Sequence, residues 1–384
     1  MRYLDNAATT PVRPEVLQAM LPFLTRWFGN PSSHHTVGEA AAGALADARA
    51  RVARVLGVRA GDVVFTSGGT EANNLAIKGI VLGRPSSGSG SRHLVTTPIE
   101  HESILESARY LSRVHATEVT LVPVDEWGRV DPDAVADALR EDTALVSIGY
   151  ANNEIGTVQD VAAIAAAARA RGIPFHTDAV QAAGWLLLHP LGADFGADAI
   201  SLAGHKLGAP KGTGVLAVRG RIPLEPLLHG GGQERGRRSG TEDVAGAVGL
   251  ATALELAEAE REESAARVGG LVGDFIARVL EAVPTARLTG DPEHRLPGTA
   301  SFTFEGTSGE AVLLELERRG VVSSSGSACA AGSDEPSHVL TAMGLAPEVA
   351  QTAVRFTFPH DLAEPLDEVA QAVAVSCAAV RMQV

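Results

Sequence analysis

Cys329 and Lys206 are the two residues whose settings point most directly to chemistry. Cys329 lies in SSSGSACAAGSDEPSH (323–338), with Gly326 and Gly332 on either side. A structural cysteine behaves as a small hydrophobe and sits in an apolar core, so this setting points to a sulfur that moves and reacts. The only other cysteine, Cys377 in VAQAVAVSCAAV, has the apolar surroundings of a core residue. Lys206 lies in SLAGHKLGAPKGTG (201–214), directly after the apolar stretch DAISL and beside His205. A lysine in a partly dry pocket can form a Schiff base with a carbonyl; a solvated loop lysine fits the same letters.

Four more polar clusters follow apolar runs. TSGGTEANN (66–74) sets Gly69 and Thr70 at a turn that opens into a helix, where free backbone N–H groups hold an anion. An ordinary turn with Thr70 as N-cap is the alternative. PIEHES (98–103) puts His101 at a helix start, as a cap or as a site residue. ANNEIG (151–156) offers Asn152, Asn153 and Glu154, which also suit a plain turn. HTDAVQ (176–181) ends an apolar strand on Asp178, a charge that burial tolerates only if it is paired. A pyridinium nitrogen is one such partner; a backbone or histidine group is another. Anion cradle, aspartate and lysine together match the phosphate, ring nitrogen and aldehyde of pyridoxal phosphate.

The elements that must hold these residues alternate. Strand-like DVVFT (62–66), HLVTT (93–97), TEVTLVPV (117–124), ALVSIGY (144–150), IPFHTDA (173–179), DAISL (198–202) and GVLAVR (214–219) are interleaved with alanine-rich helical stretches at 39–56, 72–82, 101–113, 132–140 and 160–171. That rhythm predicts an α/β fold with a mostly parallel sheet covered by helices, its ligands at the carboxyl ends of the strands. Residues 250–283 read as a long helix interrupted at Gly269-Gly270, with a smaller α+β domain beginning within or just after it. GRPSSGSGSR (83–92) reads as a flexible surface loop.

Composition narrows the class. A net charge of −14 argues against a nucleic-acid or anionic-membrane surface. Two cysteines without a CxxC or Cys/His cluster give no disulfide framework and no metal site, which fits a reducing compartment. No signal peptide is visible in MRYLDNAATTPVRP, and no apolar run nears the roughly 18 residues of a membrane span. The expectation is a cytoplasmic protein.

Ordered motifs along nearly the whole chain resemble the cysteine desulfurases, in the class V branch of fold-type I pyridoxal-phosphate enzymes. They are YLDNAATTP (3–11), GNPSSHH (29–35), TSGGTEANN (66–74), EHES (100–103), NNEIGT (152–157), HTDAVQ (176–181), HK (205–206), HGGGQERGRRSGT (229–241), SSGSAC (324–329) and VRFTF (354–358). The resemblance implies a large domain of residues 15–255 with a seven-stranded sheet, and a small domain of residues 1–14 and 256–384 that carries a mobile Cys329 loop of the long-loop type. It implies Lys206 as Schiff-base lysine, Asp178 on the ring nitrogen, Gln181 on the ring hydroxyl and His101 stacked on the ring, where it can take up substrate protons. Gly69, Thr70 and His205 would hold the phosphate, and Thr241 would reach the phosphate of a second subunit in a homodimer. Asn153 and Arg355 would bind the carboxylate of L-cysteine, and Cys329 would carry its sulfur as a persulfide to an acceptor protein. Iron–sulfur cluster assembly is one destination among several. Three departures stand out: Ala203 replaces a serine frequent three residues before the lysine, Phe358-Pro359-His360 replaces a Gly-Arg turn, and SSGSGS (86–91) resembles an insertion without a chemical role.

Overall fold

The computed structural model describes residues 1–84, 92–189, 191, 196–326 and 335–381. Most of the serine-rich stretch 83–92 and Cys329 itself lie outside the described residues. The strands are β1 (Arg2–Tyr3), β2 (Val63–Thr66), β3 (His93–Thr96), β4 (Glu118–Leu121), β5 (Thr143–Ser147), β6 (Phe175–Asp178), β7 (Ala199–Ala203), β8 (Gly214–Val218), β9 (Ala286–Leu288), β10 (Thr299–Phe304), β11 (Val321–Val322) and β12 (Ala353–Thr357).

Seven of them form one sheet in the order β2-β8-β7-β6-β5-β3-β4. β3, β4, β5, β6 and β7 run parallel, while β8 is antiparallel to both neighbours. The link from β7 to β8, residues 204–213, explains the exception, because a parallel crossover needs a dozen or more residues. That short link carries Lys206. β3, β5 and β7 are buried along their whole length, which is why they read as continuous apolar or threonine-rich runs. The carboxyl ends of β2, β3, β5, β6 and β7 share one edge of the sheet, and the polar clusters follow those ends.

A second sheet, β12-β10-β9, is antiparallel. Its core joins Phe275, Phe302, Phe356 and Phe358, with Phe275 meeting the other three edge-on at centroid distances of 5.3–6.0 Å. Leu4 belongs to this core, and β1 pairs in parallel with β11. The N-terminal strap therefore begins in the smaller core and ends at Lys206.

The long helix differs from expectation. It runs unbroken from Val244 to Ala282, through Gly269-Gly270. Interior glycine costs only about 1 kcal/mol, and burial of Val268, Val272, Phe275 and Val279 on one face outweighs it. Among the described residues, no helix is long and apolar enough to cross a membrane.

A Cβ added at Gly270 meets nothing within 4 Å. Gly270→Ala should therefore stabilise the protein by about 0.5–1 kcal/mol, read as a higher midpoint in urea unfolding. A lower midpoint would mean that the helix needs a weak point there.

Candidate active site

One cavity of about 960 Å³ opens at the shared strand edge. Lining it are Gly69, Thr70, His101, Asn153, Asp178, Gln181, His205, Lys206 and Arg355. Nine residues singled out in the sequence thus meet in one space, though they span nearly 290 positions of the chain. Thr241 does not line it; this exposed residue lies on the 229–241 loop, outside its own chain's cavity.

The β2–helix turn is a backbone cradle. Gly68 has φ +154°, and a Cβ on the facing Gly214 would come within 2.5 Å of its carbonyl carbon. Both positions therefore favour glycine. Gly68 is the N-cap, so Thr70 is the second residue of the helix rather than its cap. Glu71 closes the turn, accepting from the Ser67 N–H at 2.8 Å and pairing with Arg238 at 2.9 Å. Arg238 comes from the 229–241 loop, so the cradle and the loop bearing Thr241 are tied together.

Asp178 ends β6. Its carboxylate accepts from the Asn73 side-chain amide at 2.6 Å and from the Val180 N–H at 2.9 Å. The same Asn73 amide donates to Ser103 Oγ at 3.0 Å, and Ser103 Oγ lies 2.7 Å from His101 Nδ1. A hydrogen-bonded chain thus links Asp178 to His101. His101 caps the helix Glu102–His115, its Nδ1 accepting from the Ser103 backbone N–H at 3.0 Å. With Nδ1 used as acceptor, the neutral ring carries its proton on Nε2.

Lys206 Nζ donates to the carbonyl of Ala7, and to that of Ala8 at 2.7 Å. The Gln181 amide donates to the Ala7 carbonyl at 3.2 Å. His205 Nδ1 lies 3.2 Å from Thr9 Oγ1. Burial, with Lys206 and Lys211 nearby, pushes His205 down to about 4, so it faces the cavity uncharged at neutral pH. Arg355 on β12 is 2% exposed. It donates to the carbonyls of Asn153 (2.8 Å) and Gly326 (3.3 Å) and to Asp5 Oδ1 (2.7 Å). Gly326 and Glu335, the described residues on either side of the Cys329 segment, both line the cavity.

Asp5, Asn73, Glu100 and Ser103 were not singled out in the sequence. All four sit inside quoted motifs, but the Asn73 amide meets Ser103 and Asp178 at 30 and 105 positions' distance, and no spacing rule reaches that far. Glu100 is buried beside His101, accepting from Thr97 Oγ1 at 2.8 Å and from the Gly149 N–H at 3.0 Å. Burial raises its carboxyl to about 7, against those hydrogen bonds, with the nearby Asp178 charge adding to the rise.

A raised carboxyl has a definite stability sign. Between the ordinary carboxyl value and about 7, the folded state holds a proton that the unfolded state has lost, so stability falls as pH rises through that window. Glu100→Gln copies the protonated form. Its melting temperature relative to wild type should therefore rise from pH 5 to pH 8, by up to about 3 kcal/mol in stability. A difference that does not change with pH would contradict the burial account.

The class-V aminotransferase family model matches residues 2–364. A "Cysteine desulfurase IscS" of Dictyoglomus turgidum (strain DSM 6724 / Z-1310) is 44% identical over 356 residues, 92% of this chain and 89% of its own. A solved structure named "NIFS-LIKE PROTEIN" superposes with a TM-score of 0.87 at 34% identity, covering 100% of this chain and 99% of the other. Another, "SspA in complex with cysteine", gives a TM-score of 0.81 at 36% identity over 94% of this chain and 99% of its own. The chain belongs to the class-V aminotransferase family and, within it, to the cysteine desulfurases.

Proposed function

We propose that this cysteine desulfurase converts L-cysteine to L-alanine with pyridoxal phosphate held in the 960 Å³ cavity, and passes the sulfur to Cys329 as a persulfide. The observation that carries the reading is the meeting of Lys206, Asp178, the Gly68–Thr70 turn and Arg355 in one space, with both flanks of the Cys329 segment on its wall. The relative solved in complex with cysteine supports the substrate.

The donor set suits the cofactor. The turn at Gly68–Thr70 would hold the phosphate through backbone N–H groups and the Thr70 hydroxyl, with neutral His205 beside it. Asp178, already oriented by Asn73 and Val180, would pair with the ring nitrogen. Gln181 would reach the ring hydroxyl, His101 would stack on the ring, and Lys206 would hold the aldehyde. Ala203 removes one hydroxyl from the phosphate site; its methyl instead packs close to Gly69. When bound, the cofactor withdraws electrons and makes the substrate Cα–H acidic.

The chain's own groups do the rest. Arg355 and Asn153 would bind the substrate carboxylate and fix the orientation of its Cα. The Lys206 amine would take the Cα proton. Cys329, as thiolate, would attack the substrate sulfur: an S–S bond forms, the Cβ–S bond breaks, and Cβ gains a proton to give alanine. His101 lines the cavity with Nδ1 engaged by Ser103, which leaves Nε2 as the nitrogen that would meet the substrate sulfur. Cys329 is three residues from Gly326, a reach of at most about 11 Å, so attack within the cavity is within range.

Exposure of Thr241, away from its own cavity, supports a homodimer in which it contacts the phosphate of the other subunit. The persulfide would pass to an acceptor protein in the cytoplasm.

Lys206→Ala should bind the cofactor without the absorbance of a lysine Schiff base and lose about 10²–10⁴-fold in alanine release. Cys329→Ala should keep that absorbance yet release no alanine from L-cysteine above the blank. Equal alanine from wild type and Cys329→Ala would replace this mechanism with a lyase.

A further inference from the structure

We infer that Asp5 is a positioning residue that turns one edge of the Arg355 guanidinium into the cavity as a fork for a single carboxylate. The inference rests on the proposed reading of Arg355 as the substrate's carboxylate partner and names what makes it selective.

A guanidinium carries five N–H groups. In Arg355, Nη1 spends both of its own on the carbonyls of Asn153 and Gly326, and Nη2 spends one on Asp5 Oδ1. Among the described residues Nε has no partner, although the residue is 2% exposed. What remains is Nε–H and the second N–H of Nη2. These lie on adjacent nitrogens, the arrangement that a carboxylate accepts with both oxygens. Arg355 lines the cavity, and a buried cationic donor is costly to leave unmade, which favours a ligand acceptor for it.

Asp5 fixes which edge is left. Its side chain is 18% exposed against 2% for Arg355, and its contact at 2.7 Å is to Nη2 alone. An ion pair through both Nε and Nη2 would have used up the fork; a single contact beside it pins the plane and leaves the fork open. Two carbonyls hold the opposite nitrogen, so the guanidinium is fixed on both sides. The strap that brings Asp5 here is secured by its backbone, through Asn6 N–H to the Thr357 carbonyl at 3.2 Å and Thr357 N–H to the Leu4 carbonyl at 2.8 Å. Changing the Asp5 side chain therefore leaves the strap in place.

The test compares holoenzyme of wild type, Asp5→Ala and Asp5→Asn. Asparagine keeps an acceptor oxygen at the same place, whereas alanine removes it. Asp5→Ala should raise KM for L-cysteine about tenfold or more while kcat stays within about twofold, and Asp5→Asn should restore most of the loss. Absorbance titrations of the bound cofactor with L-alanine and with ethylamine, which lacks the carboxylate, supply a second readout. Asp5→Ala should weaken L-alanine and leave ethylamine unchanged. Equal weakening of both ligands, or a loss confined to kcat, would overturn the positioning role while leaving Arg355 as the carboxylate site. A wild type that does not prefer L-alanine to ethylamine would overturn both.

Discussion

Two cationic side chains in one half-dry cavity need acceptors before cofactor or substrate arrives, and a single strap supplies them. Residues 5–8 give Lys206 the carbonyls of Ala7 and Ala8, and give Arg355 the carboxylate of Asp5. Leaving either cation unpaired at this depth would cost several kcal/mol. The strap can do this only because it is fixed at both ends. β1 pairs with β11 and Leu4 enters the smaller core, while Thr10 bonds the His205 carbonyl next to Lys206. Lys206, just after a strand of the large sheet, and Arg355, on the small one, are thereby set against the same backbone.

The anionic side of the site is organised differently. Asp178 is held by Asn73, which also holds Ser103, which in turn meets His101. Asn73, Asp178 and the His101–Ser103 pair come from three separate segments, so the geometry depends on the sheet order as well as on local chain. His205, pushed down to about 4 by burial, adds no competing charge at neutral pH, and burial raises Glu100 to about 7, weakening its charge there. The cavity thus places cations where an aldehyde and a carboxylate are expected, and an anion where a ring nitrogen is expected.

Much of this was legible in the sequence. The seven strands of the large sheet follow apolar, β-branched runs, and the polar residues that matter come directly after them, as an α/β sheet requires. Helix continuity was misjudged at Gly269-Gly270, because local propensity is weak against a buried face of Val268, Val272, Phe275 and Val279. Contacts that join distant segments were not legible: Asp5 and Arg355 are 350 positions apart, and Asn73 and Asp178 are 105 apart. Their residue types are ordinary, and only the fold gives them partners. The part of Cys329 comes from its sequence setting and from the cavity-lining positions of Gly326 and Glu335.

The central claim is that substrate sulfur moves onto Cys329 at this cavity. The most direct measurement is mass spectrometry of non-reduced peptides after a single turnover with ³⁵S-labelled L-cysteine. The account predicts the mass of one added sulfur atom, carrying the label, on the peptide that contains Cys329, and none on the peptide that contains buried Cys377. Alanine formed with no labelled sulfur on Cys329, or with the label on Cys377, would contradict it.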